Sequence, residues 1–214
     1  MQACVIGATG LVGTALVRQL LDDSAFDSIT VLSRRALPSL ADVPRLTQHL
    51  VDFDRIDALQ WPHSDILFCC LGTTIKTAGS QDAFRKVDFD YVIQSARAAL
   101  QAGTRTLVVV SALGANADSP VFYNRVKGEM ETAVSTLGFD RLVIVRPSLL
   151  AGERSERRPG EHLALNVLKI VGWLVPLKYR PVAATTVARA MIRLAKDNLP
   201  GKRIIESDQL QRLA

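Results

Sequence analysis

The chain is poor in the residues that would mark a secreted, metal-bound or membrane-embedded protein. It has only three cysteines in 214 residues, Cys4, Cys69 and Cys70, and all lie in apolar runs that read as strands. An odd number without ligand spacing argues against a disulfide framework and for reduced thiols in a cytoplasmic protein. His49, His63 and His162 lie far apart with no metal-binding pattern. Aromatic residues are 6% of the chain and do not interleave with the basic ones, as a base-stacking nucleic-acid surface requires. The net charge of +5 is spread, with small clusters at Arg34-Arg35 and Arg154 to Arg158, so a local anionic ligand explains it better than nucleic acid. The best candidate for a membrane span, Leu163 to Leu177, is too short and carries Asn166 and Lys169. The chain enters its first strand almost at once, so no signal peptide is expected.

With 48% hydrophobic and 22% charged residues, the length suits one sizeable core, and a single domain over 1–214 is expected. Its opening stretch sets the fold. Ala3-Cys4-Val5-Ile6 is a short apolar run, a G-x-x-G-x-x-G turn follows over residues 7–13, and Thr14 to Leu21 reads as helix. Strand, glycine turn and helix in that order make a dinucleotide-binding start, in which backbone N–H groups of the turn and helix meet a pyrophosphate. Gly7 permits the tight turn, Gly10 the approach of phosphate, and Gly13 close packing of helix on strand. Thr9, Leu11 and Val12 complete the expected contacts.

Ser28 to Ser33 is a β-branched run and reads as a second strand. Where an NAD-preferring site would place an acidic residue, Ser33 stands, followed by Arg34 and Arg35. Two guanidiniums bind a 2′-phosphate that a carboxylate would repel, so NADP(H) is the expected cofactor. Leu46 to Val51 gives a third strand ending at Asp52-Phe53. Asp52 could accept from the adenine amino group with Phe53 beside the ring; equally, Asp52 or Asp54 could cap the following short helix. Asp65 to Leu71 is a buried fourth strand leading to Gly72-Thr73-Thr74, where glycine lets backbone pass close to the ribose and phosphate and the threonines offer hydroxyls. Gln81 to Gln101 reads as a long helix and Leu107 to Ser111 as the fifth strand. This rhythm predicts an α/β fold: one doubly wound, Rossmann-type parallel sheet with helices on both faces.

Ser111 ends a buried strand, so its hydroxyl is expected to face the cleft. Twelve residues later, Tyr123 and Lys127 stand at i and i+4, one turn apart on one helical face. An ammonium beside a phenol stabilises the phenolate, as a general acid/base for carbonyl reduction or alcohol oxidation requires. Ser111 would orient the substrate oxygen, and Lys127 would also reach the nicotinamide ribose.

With these motifs the chain resembles the atypical, extended-like short-chain dehydrogenase/reductases, and within them the small branch typified by the Tat-interacting NADPH-binding tumour-suppressor protein. The matching stretches run from the glycine turn through Ser33-Arg34-Arg35, Val51-Asp52-Phe53, Phe68 to Thr74 and Val87-Asp88, and on through Ser111, Val126 to Glu129, Phe139-Asp140-Arg141, Arg146-Pro147 and Arg158 to Glu161. The resemblance implies NADPH binding through the turn, the arginine pair and the helix of Tyr123 and Lys127, with Leu71, Gly72, Thr73 and Thr74 among the cofactor contacts, and catalysis by Ser111, Tyr123 and Lys127. It also implies that Pro147-Ser148-Leu149 runs beside the nicotinamide, its backbone able to bind the carboxamide. Many superfamily members carry an asparagine that holds a relay water where this chain has Asp88. Arg141 to Arg146 is a sixth strand, residues 150–180 read as a substrate-side lid and helix, Val182 to Ala195 as another helix, and Lys202 to Glu206 as a last strand. The expected partner is a small-molecule substrate, with a protein partner or homodimer as further options and neither nucleic acid nor membrane. The alternative to an enzyme is an NADPH-binding sensor or scaffold that controls a protein partner.

Overall fold

The computed structural model describes residues 1–40, 43–151 and 175–214. Seven strands form one parallel sheet: β1 (Gln2–Ile6), β2 (Ser28–Ser33), β3 (Leu46–Leu50), β4 (Ile66–Cys69), β5 (Thr106–Val110), β6 (Arg141–Arg146) and β9 (Gly201–Glu206), in the order β3-β2-β1-β4-β5-β6-β9. The order reverses between β1 and β4, which opens a crevice at the carboxyl ends of those strands. A second, two-stranded parallel sheet pairs β7 (Leu150–Ala151) with β8 (Val182–Ala183), and was not anticipated from the sequence.

Strand alternation divides the core into two layers. Ala3 and Val5 of β1 join Ile29, Val31, Phe68, Val143 and Val145 on one face. Helix α1 (Leu11–Asp22) covers them with Leu16, Val17 and Leu20, beside Val187, Ala188 and Met191 of α6 (Ala184–Lys196). Cys4 and Ile6 point the other way, with Leu67, Cys69, Leu107, Val109 and Ile144. Here the cover is Val92, Ile93 and Ala96 of α4 (Tyr91–Gln101) and Met130 and Val134 of α5 (Phe122–Ser135). Helices on both faces of a parallel sheet match the sequence-based expectation.

Before α4 come α2 (Ile75–Ala78) and α3 (Gln81–Arg85), and a π turn over Lys86–Asp90 joins α3 to α4. The Tyr91 N–H reaches back five residues to the Lys86 carbonyl. The expected rod from 81 to 101 is therefore present, but with an interruption that buries Asp88 and leaves Val87 half-buried. The chain ends in α7 (Ser207–Leu213). Most of the lid and helix expected over residues 150–180 falls on residues 152–174, outside the described residues. No helix among the described residues is long and apolar enough to cross a membrane.

Lys196 at the end of α6 reaches Asp23 at the end of α1 at 2.6 Å. The ammonium holds the Asp23 carboxyl below the ordinary carboxylate range. A depressed folded-state pKa stabilises above the unfolded value, about 4, and the contribution fades as pH falls through the folded value. Asp23→Asn should therefore cost less than about 1 kcal/mol at neutral pH and nothing in strong acid, as read by urea unfolding across that range.

Candidate active site

The chain turns at Gly7 with φ +79°, and a Cβ there would lie 2.4 Å from the Cys70 carbonyl group. Within α1, a Cβ on Gly13 would stand 2.2 Å from the Gly7 oxygen, so helix and turn touch through backbone alone. Gly10 differs: its nearest neighbour would be 3.4 Å away, and the residue is exposed. It precedes α1 without any side-chain cap. The first-turn N–H groups of Leu11, Val12 and Gly13 thus lack intrahelical acceptors and sit at the positive end of the helix dipole. This arrangement fits a dinucleotide pyrophosphate. Thr9 is exposed beside it, whereas the side chain of Val12 is buried. The Thr14 hydroxyl donates to the Ala8 carbonyl at 2.9 Å and closes the turn from inside.

At the end of β2, Ser33 is buried and its hydroxyl donates to the Arg35 carbonyl at 2.6 Å. It therefore shapes the bend that leaves Arg34 and Arg35 exposed, and its hydroxyl is not offered to a ligand. Asp52 caps the short helix over Phe53–Ala58, accepting from the Asp54 N–H at 2.9 Å. The capping alternative is realised. Phe53 is buried and packs on the Tyr91 ring at 5.5 Å, so its side chain belongs to the core and not beside an adenine. Asp54 accepts from the Tyr91 hydroxyl at 2.5 Å and pairs with Lys86 at 2.7 Å.

On α5, Tyr123 packs against Phe84 at 5.3 Å between ring centres, and Lys127 points inward one turn later. The Lys127 ammonium is 3% exposed and lies 2.7 Å from Oδ1 of Asp88, which is fully buried. Oδ2 of Asp88 accepts the Thr73 N–H at 2.9 Å. Burial disfavours the ammonium, yet Asp88 and the Tyr123 oxygen together hold its pKa above the ordinary lysine range. Gly72 stands alongside: a Cβ there would be 3.8 Å from the Lys127 nitrogen. Tyr123, Lys127, Asp88 and the loop after β4 are thus drawn into one cluster at the carboxyl edge of the sheet.

Ser111 is not presented to the open cleft as expected. It is 4% exposed, and its hydroxyl donates to Oε1 of Glu131 at 2.5 Å. The reason is strand alternation: Leu107 and Val109 face α5, and Ser111 follows in phase. Glu131 is also held by Arg146, whose Nε lies 2.9 Å from Oε1 and whose Nη1 lies 3.1 Å from Glu206. The sequence reading missed this buried network, although Tyr123, Lys127 and Glu131 at i, i+4 and i+8 signal one helix face. The Thr74 hydroxyl caps α2 and is shared with Thr77, which removes it from the expected contacts. Leu71 is half-buried against the core. The Pro147 and Leu149 carbonyls accept from the N–H groups of Leu113 and Val182 at 2.9 and 3.0 Å. The Ser148 hydroxyl donates to the Arg180 carbonyl and accepts from Ser207.

Residues 7–198 match the model of a family described as NAD(P)H-binding. The chain belongs to that family. Within it, the chain is an atypical short-chain dehydrogenase/reductase of the HTATIP2-like branch. It is 37% identical to protein HTATIP2 of Rattus norvegicus, over 88% of this chain and 78% of the relative. It is 34% identical to protein FMP52, mitochondrial, of Candida albicans, over 100% of this chain and 98% of the relative. Among solved structures it resembles human epimerase family protein SDR39U1 with NADPH, with TM-score 0.64 and 19% identity over 98% of this chain and 77% of the other.

The mitochondrial names of FMP52 and of its namesakes in other fungi overturn the cytoplasmic expectation. That expectation rested on unpaired cysteines, and the buried Cys4 and Cys69 suit any reducing compartment alike. For this NAD(P)H-binding chain the two accessible tests of the turn separate cleanly. Gly10→Ala should leave stability within about 1 kcal/mol while weakening NAD(P)H binding about tenfold or more. Gly13→Ala, which forces a methyl into the Gly7 carbonyl, should cost about 3 kcal/mol or more in urea unfolding.

Proposed function

We propose that this chain is an NADP(H)-dependent oxidoreductase acting on a small carbonyl or alcohol. The observation that carries the reading is the pairing of Tyr123 with a buried Lys127 on one face of α5, beside the loop that follows β4. Bound NADP(H) supplies the hydride chemistry. Tyr123 gives its phenol proton to the substrate oxygen on reduction and takes it back on oxidation. Lys127 stands one turn further along the same helix face, its ammonium paired with Asp88. Exposed Arg34 and Arg35 receive the 2′-phosphate, and the uncapped start of α1 receives the pyrophosphate.

One observation favours a second reading. The Ser111 hydroxyl is occupied by Glu131, so the group expected to orient substrate serves the scaffold instead. A protein that binds NADPH to regulate a partner, without turnover, needs no such group.

Replacing both Arg34 and Arg35 with alanine should weaken NADPH about tenfold or more in calorimetry and leave NADH almost unchanged; equal losses would discredit the 2′-phosphate assignment. Tyr123→Phe should cut turnover about a hundredfold or more across an aldehyde, ketone and quinone panel while NADPH still binds. A wild type that binds NADPH yet turns over nothing on that panel selects the sensor.

A further inference from the structure

Position 88 is faced by two donors. Lys127 brings an ammonium with three N–H bonds and no acceptor, and Thr73 brings a backbone N–H. The group between them must meet a positive charge on one side and accept a hydrogen bond on the other. A carboxylate does this with one oxygen for each, whereas a carboxamide has a single accepting oxygen and would turn its NH2 toward the other donor. The geometry uses both oxygens: Oδ1 to the Lys127 nitrogen at 2.7 Å, Oδ2 to the Thr73 N–H at 2.9 Å. Asp88 is wholly buried, and the π turn over Lys86–Asp90 is what puts it on this face. Gly72 completes the enclosure, since a Cβ there would be 3.5 Å from Oδ1. One carboxylate thus joins three separate elements: the long helix, α5 and the loop after β4.

We propose that Asp88 is a positioning residue that locks Lys127 as a standing ammonium and ties it to the Gly72-Thr73 loop. This rests on the reading of Lys127 as part of the cofactor site. Lys127 then supports Tyr123 as a fixed charge and does not pass protons on. Seating a ligand on the loop and placing the ammonium become one event. The ionisable groups facing Lys127 are Asp88 from the π turn, Tyr123 from its own helix and Cys69 from β4. Burial pushes the Cys69 thiol up to about 12, so the counter-charge comes from Asp88.

The test reads the protein without nucleotide. NMR of isotope-labelled lysine ammonium groups should show a slowly exchanging resonance that persists at alkaline pH and disappears in Lys127→Gln. The Thr73 amide should be protected from hydrogen exchange. Asp88→Asn should erase the ammonium resonance and speed Thr73 exchange about tenfold or more. Asp88→Glu, which keeps two accepting oxygens, should recover part of both. The proposal is overturned if the wild type has no protected ammonium, or if Asp88→Asn leaves both readouts unchanged. Should Asp88→Asn fail to fold, the wild-type resonance and its persistence decide. If both readouts respond as expected but NADPH does not bind, the clamp stands and the cofactor reading falls.

Discussion

The structure depends on a contact that leaves no room for a side chain. At Gly7 the turn after β1 passes so near the Cys70 carbonyl that even a methyl group would overlap it. The backbone is further tied there by the Cys70 N–H, which donates to the Ile6 carbonyl at 2.9 Å. This is the place where the strand order reverses, so the two halves of the sheet meet in bare backbone. The turn before α1 and the loop after β4 consequently form adjoining walls of one crevice.

The opposite wall is built by charge. Two buried polar assemblies face α5: Asp88 with Lys127, and Ser111 with Glu131 and Arg146. Each pairs a cation with a carboxylate that also accepts from a neutral donor. Buried charges persist only when they are paired. The two assemblies differ in exposure. Arg146 runs out through Glu206 to Lys178 near the surface, whereas Asp88 and Lys127 are sealed. The first is suited to holding β6, β9 and α5 in register, and the second to holding a charge at a fixed point under the cleft.

Much of this could be read from the residues alone. β-Branched runs marked the strands, and three glycines at positions 7, 10 and 13 marked the turn with their separate duties. The i, i+4 spacing put Tyr123 and Lys127 on one face. What escaped the sequence was side-chain direction. Ser111 and Phe53 have the right chemistry for a ligand, yet strand phase and core packing turn both inward. The π turn had no herald, since neither glycine nor proline occurs between Gln81 and Gln101; the pull of Asp88 toward Lys127 is a tertiary effect. Asp52 was readable only as a pair of alternatives, because a capping aspartate and an adenine-binding one look identical in a string of letters.

The C-terminal elements carry a different lesson. Helix α6 packs beside α1 and over β5 and β6, and β9 closes the sheet against β6. The last stretch of chain is therefore a wall of the central hydrophobic interior and no mere appendage on the substrate side. A fragment stopping after β7 would keep every nucleotide-facing motif and still present Val143, Val145 and Leu16 to water. The closing helix and strand are thus as much a part of the foundation of the glycine turn as the strand that precedes it.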